Sequence, residues 1–324
     1  LASMTRLFVG ATIVASVLAA TVAYWSVFRT DLGGHERNPR VAAAAASPTR
    51  GRILDREGRI LAQSRPDGER SYATAAAVHV VGYLSARYGS AGAELVYHDQ
   101  LEGSSGGGWI GALRAEFLRS SLRGNDVRLT IDLDVQLAAA QALGQRKGAV
   151  VALDPRNGDV LAMVSWPNWD PNRFDELAPQ LFQHPDAPLL NRATQGQYPP
   201  GSTFKVVTAA AALADGIVTP ETLVTCDEAY VIHGYAISCG NVPQGPGTYP
   251  FREAFAYSVN AIFARIGVEV GWQRLLETAK ALGFGTNLGF ALPVTPSAVV
   301  PDDARLDDVL LASTTFGQGQ ISVT

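Results

Sequence analysis

The sequence predicts an α+β protein that carries a single transmembrane helix at its N-terminus. A 22-residue run without charge, Leu7 to Phe28, lies near the start of the chain. Strand-like runs follow up to about residue 125, and helical patterns mix with strands from 126 to 324 without an internal repeat. The length of 324 residues is sufficient for two folded units beyond the membrane segment.

The uncharged run is bracketed by Arg6 and Arg29. About 20 apolar residues cross a bilayer core, so we predict a short tail at 1–6, a transmembrane anchor at 7–28 and a tether at 29–49. A cleaved signal peptide and a buried core helix remain open as alternatives to an anchor.

The charges around the run give an orientation of their own. One basic residue precedes the run, and five follow it closely: Arg29, Arg37, Arg40, Arg50 and Arg52. The positive-inside rule alone therefore places the C-terminal bulk of the chain in the cytoplasm.

A small β-rich region is predicted at 50–125, with strand-like runs such as Arg59-Ile-Leu-Ala62. A larger domain follows at 126–324. Its alternating start, Asp126 to Asp132, predicts a strand, and Val135 to Leu143 predicts an amphipathic helix. Residues 148–166 then predict a buried hairpin with Asp154-Pro-Arg-Asn-Gly158 as its turn.

Helices dominate the rest of the larger domain. The predicted helices lie at 203–215, 251–257, 261–269 and 272–282. A second hairpin, Tyr230 to Ile237, is predicted between the two cysteines of the chain, Cys226 and Cys239.

Composition excludes several function classes. The 26 basic and 30 acidic residues give a net charge of −4, so no nucleic acid is expected as a partner. Two cysteines and five scattered histidines exclude a Cys-only zinc site and a His-x-x-x-His pair. We expect no metal and no cofactor.

The first candidate for chemistry is Ser202, which lies in Pro199-Pro-Gly-Ser-Thr-Phe-Lys205 directly before an apolar helix. Lys205 follows three residues later, on the same helix face. A serine hydroxyl needs a base to act as a nucleophile, and a desolvated lysine amine one turn away can serve as that base. A capping serine beside an unrelated lysine is the alternative.

The second candidate is Ser258-Val-Asn260, which lies between two predicted helices. Its hydroxyl and amide are suited to relaying a proton and holding a substrate carbonyl. Viewed alone, the triplet is equally compatible with capping at a helix break.

Together these triplets resemble the S-x-x-K and S-x-N motifs of the penicillin-interacting serine transferases. The opening Arg50-Gly-Arg-Ile-Leu-Asp-Arg-Glu-Gly-Arg-Ile-Leu-Ala62 resembles that of the class B penicillin-binding proteins. The other segments that resemble this family are Tyr88 to Glu94, Leu101 to Gly103, Leu129 to Asp132, Val150 to Asn172, Asn191 to Ala193, Gly283 to Gly285 and Phe316 to Thr324. The resemblance thus extends over residues 50–324.

This resemblance implies a penicillin-binding-protein/serine β-lactamase-like transpeptidase domain at 126–324 on a pedestal or dimerisation-like domain at 50–125. It implies a peptidoglycan D,D-transpeptidase that cross-links stem peptides through an acyl-enzyme on Ser202, which penicillin also acylates. In the family, Lys205 corresponds to the general base, Ser258 to the group that passes a proton to the leaving D-alanine, and Asn260 to the group that holds the donor peptide's amide. The backbone N–H of Ser202 corresponds to one oxyanion donor.

The resemblance also implies a location and partners. The substrate, a stem peptide on a lipid-linked precursor, lies outside the cell, so the bacterial cell membrane would be crossed once with the catalytic domain extracytoplasmic and the tail at 1–6 cytoplasmic. This orientation is opposite to the one that the positive-inside rule predicts. The segment before the transpeptidase domain is too short for a glycosyltransferase domain, which implies a polytopic glycosyltransferase of the shape, elongation, division and sporulation type as a partner.

One departure from the family is the third motif, K-[ST]-G, which normally follows the Gly-Gln-Gly segment. Neither of the other lysines, Lys147 and Lys280, stands in such a motif. We therefore expect the sequence to be incomplete at its C-terminus, with a truncated transpeptidase domain that is inactive as it stands.

Two rival functions share part of the evidence. A β-lactamase or β-lactam sensor shares S-x-x-K, but the pedestal motif and tether argue against both. A non-catalytic cell-wall scaffold is the other rival, and the intact Ser202, Lys205, Ser258 and Asn260 argue against it. In an oxidising exterior Cys226 and Cys239 would be able to form a disulfide, and the sequence leaves open whether they do.

Overall fold

A computed structural model describes residues 17–18, 50–103, 124–240, 242, 245–299 and 307–324. Apart from Val17 and Leu18, the predicted tail, anchor and tether lie outside these residues. Among the described residues, no helix combines the length and the apolar character needed to cross a membrane.

The strands of the described chain are β1 (Ile53–Leu54), β2 (Ile60–Ser64), β3 (Arg70–Tyr72), β4 (Leu84–Ser85), β5 (Gly89–Ser90), β6 (Val127–Arg128), β7 (Gly148–Leu153), β8 (Val160–Trp166), β9 (Leu223–Cys226), β10 (Ala229–Ile232), β11 (Tyr235–Ser238) and β12 (Gly247–Pro250). The α-helices are α1 (Val78–Val81), α2 (Gly92–Val96), α3 (His98–Glu102), α4 (Leu133–Leu143), α5 (Phe174–Gln183), α6 (Lys205–Ala214), α7 (Phe251–Ala256), α8 (Asn260–Ala281) and α9 (Asp308–Thr314). This mixture of helices and mainly antiparallel strands agrees with the predicted α+β class.

The described chain divides into two compact units, and the first includes residues 50–73, 84–90, 97–103 and 124–129. It contains a sheet with the strand order β3-β2-β1-β6, antiparallel except for the parallel β1–β6 pair. Asp55, which is fully buried, shapes the turn between β1 and β2, because its carboxylate accepts from the backbone N–H groups of Glu57 and Arg59 and from Nε of Arg59. The Asp-Arg-x-Gly part of the opening motif is thus a hairpin turn.

The second unit comprises residues 74–83 and 91–96 and the described residues between 130 and 324. Its first hairpin pairs β7 with β8, as predicted, and α4 is joined to β8 by the fully buried Gln136. The amide of Gln136 donates to the carbonyl oxygens of Ala76 and Met163 and accepts from the Met163 N–H. These bonds satisfy a polar side chain in the interior, where it would otherwise be costly to bury.

The strand predicted from Asp126 to Asp132 is shorter in the structure, where only Val127 and Arg128 pair with β1. Asp132 instead caps α4, since its carboxylate accepts from the N–H groups of Asp134 and Val135. The alternation of apolar and polar residues continues from the strand into the helix cap. The pattern therefore predicted a strand longer than the one in the structure.

The main core of the second unit lies around α6 and α8. Its fully or almost fully buried apolar residues include Phe204, Ala211, Ile262, Phe263 and Leu275. The predicted helices 261–269 and 272–282 are the two parts of α8, which has a non-helical residue, Gly271, between them. The predicted second hairpin is the β10–β11 pair, and a disulfide joins Cys226 to Cys239 on either side of it.

Candidate active site

The turn that carries Ser202 is built by the residues before it. Gly201 has a φ of +56°, a left-handed conformation that glycine adopts without a steric penalty. From there a 3-10 helix, Gly201–Phe204, leads directly into α6. Phe204 is 1% exposed and fixes this turn in the core, while Ser202 is exposed.

Ser258 lies in a tight connection between α7 and α8. Its φ is +58°, which is uncommon for a residue other than glycine, and the buried Val259 follows it. The Ser258 N–H donates to the carbonyl of Phe255 at 3.0 Å. This backbone conformation brings both the carbonyl oxygen and the hydroxyl of Ser258 to the same amine, that of Lys205.

The Lys205 amine is the centre of the site. Its Nζ lies 3.0 Å from Ser202 Oγ, 2.8 Å from Ser258 Oγ, 2.7 Å from the Ser258 carbonyl oxygen and 2.5 Å from Asn260 Oδ1. The structure therefore brings the four candidate residues of the sequence into one cluster. They come from the start of α6, the turn before α8 and the first residue of α8.

Burial favours the neutral form of this amine. Lys205 is 1% exposed, and burial lowers its pKa from 10.5 to about 8. The Nζ also lies 5.6 Å from the centre of the Phe263 ring. An ammonium has three hydrogens for four oxygen contacts, whereas a neutral amine has two hydrogens and a lone pair that can accept from the Ser202 hydroxyl.

A further segment, Thr315 to Gly317 after α9, contacts the same elements. The Gly201 N–H donates to the Gly317 carbonyl at 3.0 Å, and Thr208 Oγ1 of α6 donates to the Thr315 carbonyl at 2.7 Å. Sequence reasoning assigned no role to these residues or to Phe263. For Gly317 the signal was the Phe316-Gly-Gln-Gly-Gln run, which marked the segment without indicating its contacts, and no signal in the sequence indicated Phe263.

Two family models match the chain. The model described as the penicillin binding protein transpeptidase domain matches residues 148–324. The model described as the penicillin binding protein A dimerisation domain matches residues 50–127.

Curated relatives match between 73% and 100% of the chain. It is 35% identical to the peptidoglycan D,D-transpeptidase PbpA of Mycolicibacterium smegmatis, over 99% of this chain and 70% of that protein. It is 34% identical to PbpA of Mycobacterium tuberculosis, over 100% of this chain and 70% of that protein. It is 31% identical to the peptidoglycan D,D-transpeptidase MrdA of Escherichia coli, over 73% of this chain and 38% of that protein.

Solved structures are similar as well. The imipenem acyl-enzyme complex of penicillin-binding protein A from M. tuberculosis has a TM-score of 0.75 and 34% identity, over 86% of this chain and 69% of that chain. The penicillin G acyl-enzyme complex of the same protein has a TM-score of 0.74 and 33% identity, over 86% of this chain and 68% of that chain.

Proposed function

The chain belongs to the penicillin-binding protein transpeptidase family, and we propose that Ser202, Lys205, Ser258 and Asn260 carry its reaction. The protein is a serine-type peptidoglycan D,D-transpeptidase, and penicillin and other β-lactams acylate it. The assignment of roles to residues is supported above all by one observation. The buried amine of Lys205 lies 3.0 Å from the hydroxyl of Ser202 and contacts Ser258 and Asn260 at the same time.

In the proposed acylation step, Ser202 Oγ attacks the carbonyl carbon of the D-Ala-D-Ala peptide bond. The neutral amine of Lys205 takes the proton from Oγ, which is within hydrogen-bond distance of it. The backbone N–H of Ser202 is one donor to the oxyanion that develops on the carbonyl oxygen.

Collapse of this intermediate breaks the C–N bond and needs a proton on the leaving amine. Ser258 Oγ lies 2.8 Å from Lys205 Nζ, so the proton moves from the ammonium through the Ser258 hydroxyl to the nitrogen of the departing D-alanine. Asn260 uses its Oδ1 on Lys205, which leaves its amide N–H₂ to hold the donor peptide. The product is an ester between Ser202 and the stem peptide.

Transfer then reverses the proton path. The amine of an acceptor stem peptide attacks the ester carbonyl and gives up a proton through Ser258 to the neutral Lys205, and Ser202 Oγ leaves with a proton from Lys205. The result is a new amide cross-link and a regenerated hydroxyl. A β-lactam enters by the same first step, but its leaving nitrogen stays attached to the acyl group, which leaves a ring-opened ester on Ser202.

We further propose the organisation of the whole protein. The tail at 1–6 is cytoplasmic, 7–28 anchors the protein in the bacterial cell membrane, and the tether at 29–49 leads to a pedestal at 50–125 outside the cell. The transpeptidase domain begins at 126. A polytopic glycosyltransferase would supply the glycan strands, because the segment between the anchor and residue 126 is too short to hold such a domain.

The first test is the intact mass of the complete gene product after incubation with benzylpenicillin. Wild type is expected to gain the mass of one penicillin, and Ser202→Ala is expected to gain none because the nucleophile is absent. Peptide mapping of the wild-type adduct should place the ester on Ser202. An adduct that persists in the alanine variant would contradict the assignment, and rapid release of hydrolysed penicillin would favour a β-lactamase.

A further inference from the structure

Gly317 makes a backbone contact with the residue that precedes the proposed nucleophile. Its φ is +77°, and its carbonyl oxygen accepts from the N–H of Gly201 at 3.0 Å. A Cβ placed on Gly317 would lie 1.8 Å from the Gly201 carbonyl oxygen, 2.5 Å from its carbon and 2.7 Å from its nitrogen. The backbones of Gly317 and Gly201 are therefore in direct contact. A Cβ here could not be accommodated by a change of side-chain rotamer, so a backbone segment would have to move.

The segment that carries Gly317 is held on two helices. Thr208 Oγ1 of α6 donates to the Thr315 carbonyl at 2.7 Å, and both threonines are fully buried. On the other side, a Cβ on Gly267 of α8 would lie 1.9 Å from Cγ2 of Thr315, so the threonine methyl occupies the place left by that glycine. The segment is thus fastened to the helix of Lys205 and to the helix that begins at Asn260.

We infer that Gly317 is a positioning residue for acylation, a conclusion that rests on the proposed function of Ser202. It fixes the backbone peptide group between Gly201 and Ser202. It thereby orients the hydroxyl and the backbone N–H of Ser202 toward the substrate carbonyl. Among the described residues, the backbone hydrogen bonds of Gly317 go to Thr314 and Gly201, and none goes to the amine of Lys205. Its influence should therefore appear in the acylation rate and not in the basicity of the amine.

The test is the pre-steady-state acylation of the complete gene product by a fluorescent penicillin. This measurement separates the dissociation constant of the non-covalent complex from the acylation rate constant. Gly317→Ala must push Gly201 and Ser202 away by more than an ångström. A displacement of this size is expected to lower the acylation rate constant about a hundredfold. The dissociation constant should stay close to that of wild type, and the pH midpoint of acylation should stay at about 8, the pKa of Lys205.

Gly216→Ala is the matched control. Gly216 lies just beyond α6, its φ of +69° is similarly left-handed, and a Cβ there would meet nothing within 4 Å. Its substitution introduces the same backbone strain without displacing Ser202. Its acylation rate constant is expected to stay within about threefold of wild type, since such strain acts mainly on stability.

A second pair of variants covers the case in which Gly317→Ala does not fold. Thr208→Val keeps the shape of the side chain but removes the donor to the Thr315 carbonyl, whereas Thr208→Ser keeps the donor. We expect an acylation rate constant about tenfold lower for the valine variant, the equivalent of one lost hydrogen bond, and recovery for the serine variant.

The inference is overturned if Gly317→Ala acylates like Gly216→Ala, or if its loss lies in the dissociation constant alone. Where Gly317→Ala does not fold, equal acylation by Thr208→Val and Thr208→Ser overturns it. Each of these results leaves the proposed function intact as long as wild type is acylated at Ser202. Failure of wild type to react would overturn the proposed function, and the inference with it.

Discussion

Lys205 is surrounded by groups that act on its protonation state in opposite directions. Four oxygen contacts and the face of the neighbouring Phe263 ring favour the ammonium, while near-complete burial removes the water that would solvate the charge. Burial prevails, and the pKa falls from 10.5 to about 8. At neutral pH about one lysine in ten is then a free base, compared with about one in 3,000 for an exposed lysine. The surroundings thus favour the neutral amine that the proposed role of Lys205 as a base requires.

This pKa predicts the pH dependence of acylation. The rate constant should rise about tenfold per pH unit below pH 7 and level off above about pH 9, because only the neutral amine of Lys205 can accept the Ser202 proton in the proposed step. Stopped-flow measurement of penicillin acylation between pH 6 and pH 10 checks this.

Lys205→Arg is the control for that profile. Its guanidinium is not deprotonated in this range, so the rise should disappear and the rate should fall at least about a hundredfold. A wild-type profile that is flat, or one with its midpoint near 10.5, would contradict the role given to Lys205.

The disulfide links two small sheets of the second unit. Cys226 ends β9, which pairs with β12, and Cys239 directly follows β11, which pairs with β10. Both cysteines are buried in the main core, at 4% and 6% exposure. The bond therefore closes a short loop around a hairpin that packs against α8, and it acts on the stability of the domain without touching the reacting groups.

Replacement of both cysteines by alanine should lower the free energy of unfolding by about 3 kcal/mol, the value for a loop of this length. The expected readout is a lower urea midpoint in circular dichroism, with unchanged acylation of the folded protein at room temperature. Wild type treated with a phosphine reductant should behave like the double variant. Equal midpoints for the oxidised and reduced proteins would contradict the prediction.

Local patterns in the sequence predicted those elements whose cause is local. The β7–β8 and β10–β11 hairpins follow from turn residues between apolar runs, and the two parts of α8 follow from an apolar helix interrupted by Gly271. The pairing of S-x-x-K with S-x-N depended on family resemblance, because neither triplet is specific alone. Helix spacing put Ser202 and Lys205 on one face, but only the fold brings Ser258 to the same amine.

Contacts between distant segments left no such pattern. In the sequence, Gly317 is one of many glycines. A side chain is excluded at this position because it would collide with the backbone of Gly201, which lies more than a hundred residues away in the chain. The low pKa of Lys205 likewise depends on burial of its amine, to which residues of α8 contribute. The residues near 205 in the sequence do not predict this pKa. The disulfide was left open for a related reason, since the distance between two cysteines is a property of the fold.

At the scale of the whole molecule, two arguments about membrane orientation conflict. The arginines that follow the predicted anchor outnumber the single one before it, which favours a cytoplasmic location for the bulk of the chain. The substrate of the family lies outside the cell, and a disulfide persists in an oxidising compartment. An enzyme of this family on the cytoplasmic side of the membrane would meet no substrate, so we give the second argument more weight.

This predicts the behaviour of fusions to alkaline phosphatase, an enzyme that folds only where disulfides form. A fusion after residue 49 should be active, because the tether would carry the phosphatase out of the cytoplasm, and a fusion after residue 6 should be inactive. Replacement of Arg50 and Arg52 by glutamine in a fusion after residue 73 tests the effect of the charge bias. Phosphatase activity should be unchanged, because in the proposed organisation the chain after the anchor already lies outside the cell. An inactive fusion after residue 49, with β-galactosidase active at the same point, would place the catalytic domain in the cytoplasm and contradict the proposed organisation.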